Sequence, residues 1–153
     1  MVRAAAVLLF VIVASCRQSA EDGPVRPAGS WVVLRSDGRP TARVRVKVVR
    51  EEQERQRGLM FVRAMPRDDG MLFIFEKDEI QSFWMRNTYI PLDMIFINLE
   101  SKVVGVVEHA KPLTDDSRSV DMPSRYVLEV NAGWARENGV SFGTRVEFIG
   151  IAL

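Results

Sequence analysis

From residue 31 to residue 149 the apolar residues fall into short runs divided by polar residues and turn formers. This pattern constrains the fold most, because strand-length runs divided by turn residues build β-structure and leave little room for helix. Residues 31–34 and 42–49 flank Asp37-Gly38, a good hairpin turn pair. The second run alternates, with Val44, Val46 and Val48 on one face and Arg43, Arg45 and Lys47 on the other, as in a half-buried strand. Residues 71–75 form a continuous apolar strand, and residues 80–85 read as another. Residues 94–97 and 103–107, joined by 98–102, form a hairpin. Residues 126–130 alternate again, and Gly143 turns the chain into a last strand over 145–149.

Two short helices interrupt the strands. Residues 51–57 are charged, Glu51 can meet Arg55 four residues on, and Gly58 suits a left-handed cap. Leu59, Met60 and Phe61 then turn inward. Asn131 is placed to cap a helix over 132–138, with Gly139 just past its end. The expected fold is mainly β (α+β). It is an antiparallel β-sandwich or a partly closed barrel of seven to eight short strands, with the two helices plugging its open ends.

The first thirty residues carry a different message. Arg3 precedes an unbroken apolar run over 4–14, and Val13-Ala14-Ser15-Cys16 closes it. A charged start, an apolar stretch and a small-residue cleavage site make an export signal. The closing cysteine makes it resemble a bacterial lipoprotein signal, in which Cys16 is acylated and becomes the new first residue. A plain secretory signal would leave an odd thiol in an oxidising compartment. A membrane span would need about 20 apolar residues. The expected organisation is a signal peptide over 1–15, lipidated Cys16 with a flexible tether over 16–30, and one β-rich domain over 31–153. A tether of that composition reaches on the order of 20 Å. The expected location is the envelope, anchored in a membrane by lipid and facing the periplasm or cell surface. Arg17 stands where an aspartate would suggest inner-membrane retention, and the absence of that aspartate leans towards the outer membrane.

Composition excludes several classes. Lys and Arg total 21 against 20 Asp and Glu, and removal of Arg3 with the signal balances them. No basic face is implied, so nucleic acid is not an expected partner. With Cys16 the only cysteine, the domain has none for disulfides, thiolate metal sites or thiol catalysis. His109 is the only histidine, so no conventional zinc spacing exists. Gly-x-Ser-x-Gly, P-loop and Gly-x-Gly-x-x-Gly patterns are all absent. Asp68-Asp69 and Asp115-Asp116 are the acidic pairs a hydrolase could use, but both fall in polar loops.

Four segments carry a family resemblance: Arg57-Gly58-Leu59-Met60-Phe61, Gly70-Met71-Leu72-Phe73, the stretch FWMRNTYIPLDMIFI over 83–97, and Tyr126-Val127-Leu128-Glu129-Val130-Asn131-Ala132-Gly133-Trp134. Together they resemble domain-of-unknown-function family 192 over roughly residues 42–149. The resemblance implies a single compact β-rich domain, frequently behind a signal peptide, and no established activity. Many members carry a cysteine pair in the loop before the last of these segments. Here residues 114–119 have none, so a redox role does not transfer.

Within the long motif, Trp84, Arg86, Asn87, Thr88 and Asp93 place an indole, a cation, an amide, a hydroxyl and a carboxylate close together. A small polar ligand needs such a set: Arg86 to hold an anion, Asn87 and Thr88 to orient, Asp93 to accept hydrogen bonds, Trp84 to stack. Asn131 and Glu129 could approach from the later strand. The competing reading is architectural, with Asn87 and Thr88 satisfying a turn before Pro91 and Asp93 pairing Arg86 to lock it. Six methionines fall in the domain, and Trp84-Met85 with His109 would suit Cu(I), although methionine also fills core gaps. The expected function is a non-catalytic envelope binding module for a small polar or anionic ligand or a glycan. Its site comprises Trp84, Arg86, Asn87, Thr88, Asp93 and Asn131, with no catalytic residue, metal or cofactor. The alternatives are a structural or protein-interaction lipoprotein, then a Cu(I) carrier or hydrolase. The sequence sets no oligomeric state.

Overall fold

The computed structural model describes residues 29–36 and 39–153. Cys16, the signal segment, the tether up to residue 28 and the Asp37-Gly38 turn lie outside the described residues. In chain order the elements are β1 (Trp31–Ser36), β2 (Arg39–Val49), α1 (Glu52–Arg57), β3 (Asp69–Glu79), β4 (Leu92–Ile97), β5 (Val103–Ala110), β6 (Ser124–Asn131), α2 (Trp134–Glu137) and β7 (Arg145–Ile149).

One seven-stranded sheet runs in the order β5-β4-β6-β3-β2-β1-β7. Every neighbouring pair is antiparallel except β2 and β3, which run parallel with Val46 opposite Gly70. A parallel pair needs a crossover, and α1 with the segment behind it provides one. The sheet curls until its edge strands approach. Lys102, just before β5, bridges Arg145. Val103 N–H donates to the Thr144 carbonyl at 2.9 Å, and Val146 N–H to the Ser101 carbonyl at 2.8 Å. The expected partly closed barrel is therefore the form adopted, built from a mixed sheet.

Two apolar clusters lie on opposite faces of this sheet. The inner one holds Val32, Leu34, Val44, Leu72, Ile95, Ile97, Leu128 and Trp134. The outer one holds Met71, Phe73, Met85, Met94, Phe96 and Val127. The central strands feed both by alternation. Leu72, Ile95 and Leu128 point in, while Phe73, Phe96 and Val127 point out. Irregular chain covers the outer face, with Val62, Met65, Phe83, Ile90 and Val120 packed down onto it.

This second layer explains where the sequence reading departs from the structure. Residues 80–85 do not form a strand and make only the isolated Phe83–Arg118 bridge. Phe83 instead packs edge-to-face on Phe73, Phe75 and Phe96, with centroids 5.0, 6.1 and 6.0 Å away. A covering segment that buries an aromatic ring shows the same apolar content as a strand. Residues 126–130 are buried throughout rather than on one face, because both faces of β6 meet a core.

The helix ends also differ. Asn131 closes β6 instead of capping a helix, and Gly133 (φ 85°) takes the N-cap position of the shorter α2. Trp134 and Ala135 of α2 enter the inner cluster, so this helix does plug the barrel. Helix α1 buries no residue. Arg55 pairs with Glu52 at 2.6 Å rather than with Glu51. Gly58 ends α1 with φ 45° and ψ −128°, outside the left-handed helical region, its N–H donating to the Glu54 carbonyl. Leu59 is buried, but Phe61 is exposed at φ 67°.

Candidate functional site

A cavity of about 260 Å³ opens on the outer face, between α1, the outward side of β3 and β6, and the turn at 84–88. Its deep walls are Leu59, Phe73, Thr88 and Glu129, all buried. Phe75 and Phe83 are half-buried beside them, and Glu52, Gln56, Arg57, Trp84 and Arg86 stand exposed at the mouth.

Glu129 is the unusual group. It projects from β6 opposite Met71 of β3 and Met94 of β4, so two thioether side chains flank its carboxyl across the ladders. It is 4% exposed. Its carboxyl has no hydrogen-bond or ionic partner among the described residues. Burial pushes its pKa up to about 8, because removing water penalises the charged form. Near neutral pH the cavity therefore holds a protonated carboxylic acid in an apolar setting. Buried polar groups in folded proteins are almost always paired. A lone buried acid in a concave site marks a binding or reactive position.

The mouth is cationic. Arg86 lies over the Trp84 ring at 4.4 Å and donates through Nε to Asp115 at 2.8 Å. Asp115 raises the Arg86 pKa through this hydrogen bond and its charge. Arg55 stacks over Phe75 at 5.1 Å, pairs with Glu52, and also reaches the Arg50 and Ile74 carbonyls. Arg57, also at the mouth, pairs with no described residue.

The structure divides the sequence-predicted residues. Trp84, Arg86 and Thr88 line the cavity. Thr88 is anchored by its hydroxyl, which donates to the Arg86 carbonyl at 3.3 Å. Asn87 sits at the exposed turn tip with φ 54°, its carbonyl accepting from Phe61 N–H at 2.8 Å. Asp93 is fully buried on the inward side. Its two oxygens accept from His109 N–H at 2.9 Å and Ala135 N–H at 3.0 Å, tying β5 and α2 to β4. Arg86 therefore pairs with Asp115, not with Asp93. Asn131 donates from its amide to the Met65, Pro66 and Arg67 carbonyls and fixes the loop entering β3.

The other candidates are engaged elsewhere. His109 keeps company with Asp93 and Glu108, while Met85 lies in the outer cluster. Asp69 takes Arg45, and Asp68 accepts from the Trp134 indole at 3.0 Å. Among the described residues no three of His, Cys, Asp and Glu gather as a metal site, and no helix is long and apolar enough to cross a membrane. Sequence reasoning gave Glu129 only a supporting place and missed Phe73, Phe75, Phe83 and Arg57. The available signal was an acid in the centre of the apolar run Tyr126-Val127-Leu128-Glu129-Val130.

Residues 32–148 match the model of the family DUF192, described as "Uncharacterized ACR". No curated protein matches the chain. Among solved structures, a protein of unknown function from Novosphingobium aromaticivorans DSM 12444 is similar at 32% identity and a TM-score of 0.72. The alignment covers 76% of this chain and 83% of that one. A protein from Sinorhizobium meliloti 1021, provisionally described as a transcription regulator, is similar at 37% identity and a TM-score of 0.75. That alignment covers 82% of this chain and 98% of the other.

Proposed function

The chain belongs to the DUF192 family, and on that footing we propose that it is a non-catalytic binding module for a small polar or anionic ligand held in the outer-face cavity. One observation carries this reading: a cavity with a buried acid that pairs with no described residue, under a mouth of exposed arginines. A concave, largely apolar pocket with a few polar groups at set positions is the usual form of a small-molecule site. Arg86 and Arg57 attract an anionic group, and Arg86 offers further N–H donors beyond the one used on Asp115. Trp84 and Phe83 supply apolar walls. Asp93 and Asn131 serve the scaffold in this reading, and Asn87 shapes the turn. The near-balanced charge of the chain gives no support to a nucleic-acid partner.

In this reading the module works exported, tethered to a membrane through Cys16. Incorporation of radiolabelled palmitate into the wild type, and its loss in Cys16→Ser, is the expected result. A Cys16→Ser chain that still takes up label refutes the anchor.

The binding reading is tested by ligand-observed NMR on the purified protein, using small carboxylates, phosphate esters and mono- and disaccharides as probes. At least one anionic probe is expected to bind, with roughly tenfold weaker affinity in Arg86→Ala. The unfolding midpoint of that variant stays near wild type, since the Arg86–Asp115 pair is exposed. If no probe binds, or if Arg86→Ala unfolds the chain, the proposal is wrong.

A further inference from the structure

The cavity is electrically two-ended. Inside, the residue Glu129 is only 4% exposed, and its carboxyl lines the cavity and accepts from no described donor, with the side chains of Met71 and Met94 to either side. The rings of Phe73, Phe75 and Phe83 share the same cavity. Aromatic faces and a carboxylate together favour a cation and offer nothing to an anion. At the mouth the charges are reversed. Arg55, Arg57 and Arg86 line it against two acids, Glu52, which is taken by Arg55 and Gln56, and Asp115, which is paired with Arg86. Arg57 is left with no described partner, and the mouth keeps a net positive charge. A purely anionic ligand satisfies the mouth and leaves the buried acid alone. A purely cationic ligand meets three guanidinium groups on entry.

Resting on the binding-module reading, we propose that the cavity takes a small zwitterion. Its ammonium group lies on Glu129 among Phe73, Phe75 and Phe83, and its anionic end lies at Arg57 and Arg86. The amine supplies the partner that the buried carboxyl lacks, and carboxylate–ammonium pairing away from water is strong when both groups are hydrogen-bonded.

This arrangement links binding to protons. The charged groups facing Glu129 are Glu52, Arg55 and Arg57 from α1 and Arg86 from the turn, while β3 and β4 present the uncharged Met71 and Met94. Burial keeps Glu129 protonated up to about pH 8. Seating an ammonium group therefore ionises it and releases its proton to solvent. Affinity rises with pH towards 8 and levels beyond it, until the ligand amine loses its own proton.

Isothermal titration calorimetry of the purified protein tests this with glycine, β-alanine, 4-aminobutyrate and 6-aminohexanoate, each beside the carboxylate that lacks the amine. Runs at pH 7 in two buffers of different ionisation enthalpy count the protons. One amino acid is expected to bind roughly tenfold tighter than its matched carboxylate, with release of about one proton. Glu129→Gln, nearly isosteric, is expected to fold and to lose both the preference and the release. If carboxylates bind as tightly as the amino acids, with or without Glu129→Gln, the zwitterion proposal is overturned while the anion-binding reading stands. If neither class binds, both fall.

Discussion

At the residue scale, one ten-residue motif serves two unrelated ends. Trp84, Arg86 and Thr88 project towards the outer cavity, whereas Asp93 faces inward, where it holds β5 and α2 through two backbone N–H groups. The sequence showed that these residues were chemically odd for a plain strand. It did not show that a turn with Asn87 at φ 54° and Pro91 behind it would send them to opposite faces. Side-chain parity is predictable along a strand and is lost across an irregular turn. The two roles separate under mutation. Asp93→Ala strands a buried N–H at Ala135 and a part-buried one at His109, at about 1–3 kcal/mol for each buried group. We expect a loss of about 3 kcal/mol in urea unfolding, with Asp93→Asn recovering part of it because the amide oxygen still accepts one bond. A neutral result for Asp93→Ala contradicts the scaffold role. Glu129 was legible in a different way, as a lone acid within an apolar strand. What the sequence could not supply was its setting, because the apolar neighbours that raise its pKa come from β3, β4 and the covering chain.

At the scale of elements, the strands that alternate or lie next to turn residues were readable, and those that depend on distant partners were not. The β4–β5 hairpin follows from local sequence, and the observed register confirms the pairing. The parallel β2–β3 contact has no local signature, since only a crossover of suitable length permits it. The false strand at 80–85 arose because the covering layer buries aromatic residues as thoroughly as a strand does. That layer is fitted closely to the sheet. A Cβ added at Gly105 of β5 would lie 2.5 Å from Val120 Cγ1 and 2.9 Å from Val120 Cβ. Gly105 is thus the hollow into which the covering segment seats Val120. Gly105→Ala forces overpacking, at a cost of about 1–3 kcal/mol. Val120→Ala in the same chain removes the nearest clash and is expected to recover part of the loss. Chemical denaturation of both single variants and the double variant measures the coupling. Strict additivity would show that the layer does not dock there.

At the scale of the whole molecule, one curled sheet is buried on both faces, by α2 and the opposing barrel wall inside and by irregular chain outside. A barrel that packs only its interior leaves its outer face to water. Here the outer face is used, and the cavity opens where the cover parts between α1 and the turn at 84–88. The acid in that gap destabilises the fold in a pH-dependent way. Glu129 has a folded pKa raised to about 8 by burial, while an unfolded glutamate ionises near 4.3. Between those values the folded state binds more protons than the unfolded state, so stability falls as pH rises. The loss begins near the unfolded pKa, reaches up to about 1.4 kcal/mol per pH unit within the window, and is complete above about pH 8. Glu129→Gln carries no such term. The difference in unfolding free energy, variant minus wild type, is expected to grow from pH 5 to pH 8 and then stay flat, with the variant the more stable protein at pH 8. Urea unfolding at unit pH steps measures this difference with contributions from other groups cancelled. A difference that does not change with pH would mean that Glu129 is ionised in the folded protein at neutral pH. Growth across the window shows instead that the fold tolerates a costly buried acid at a gap in the outer cover, as proteins do where a binding site requires it.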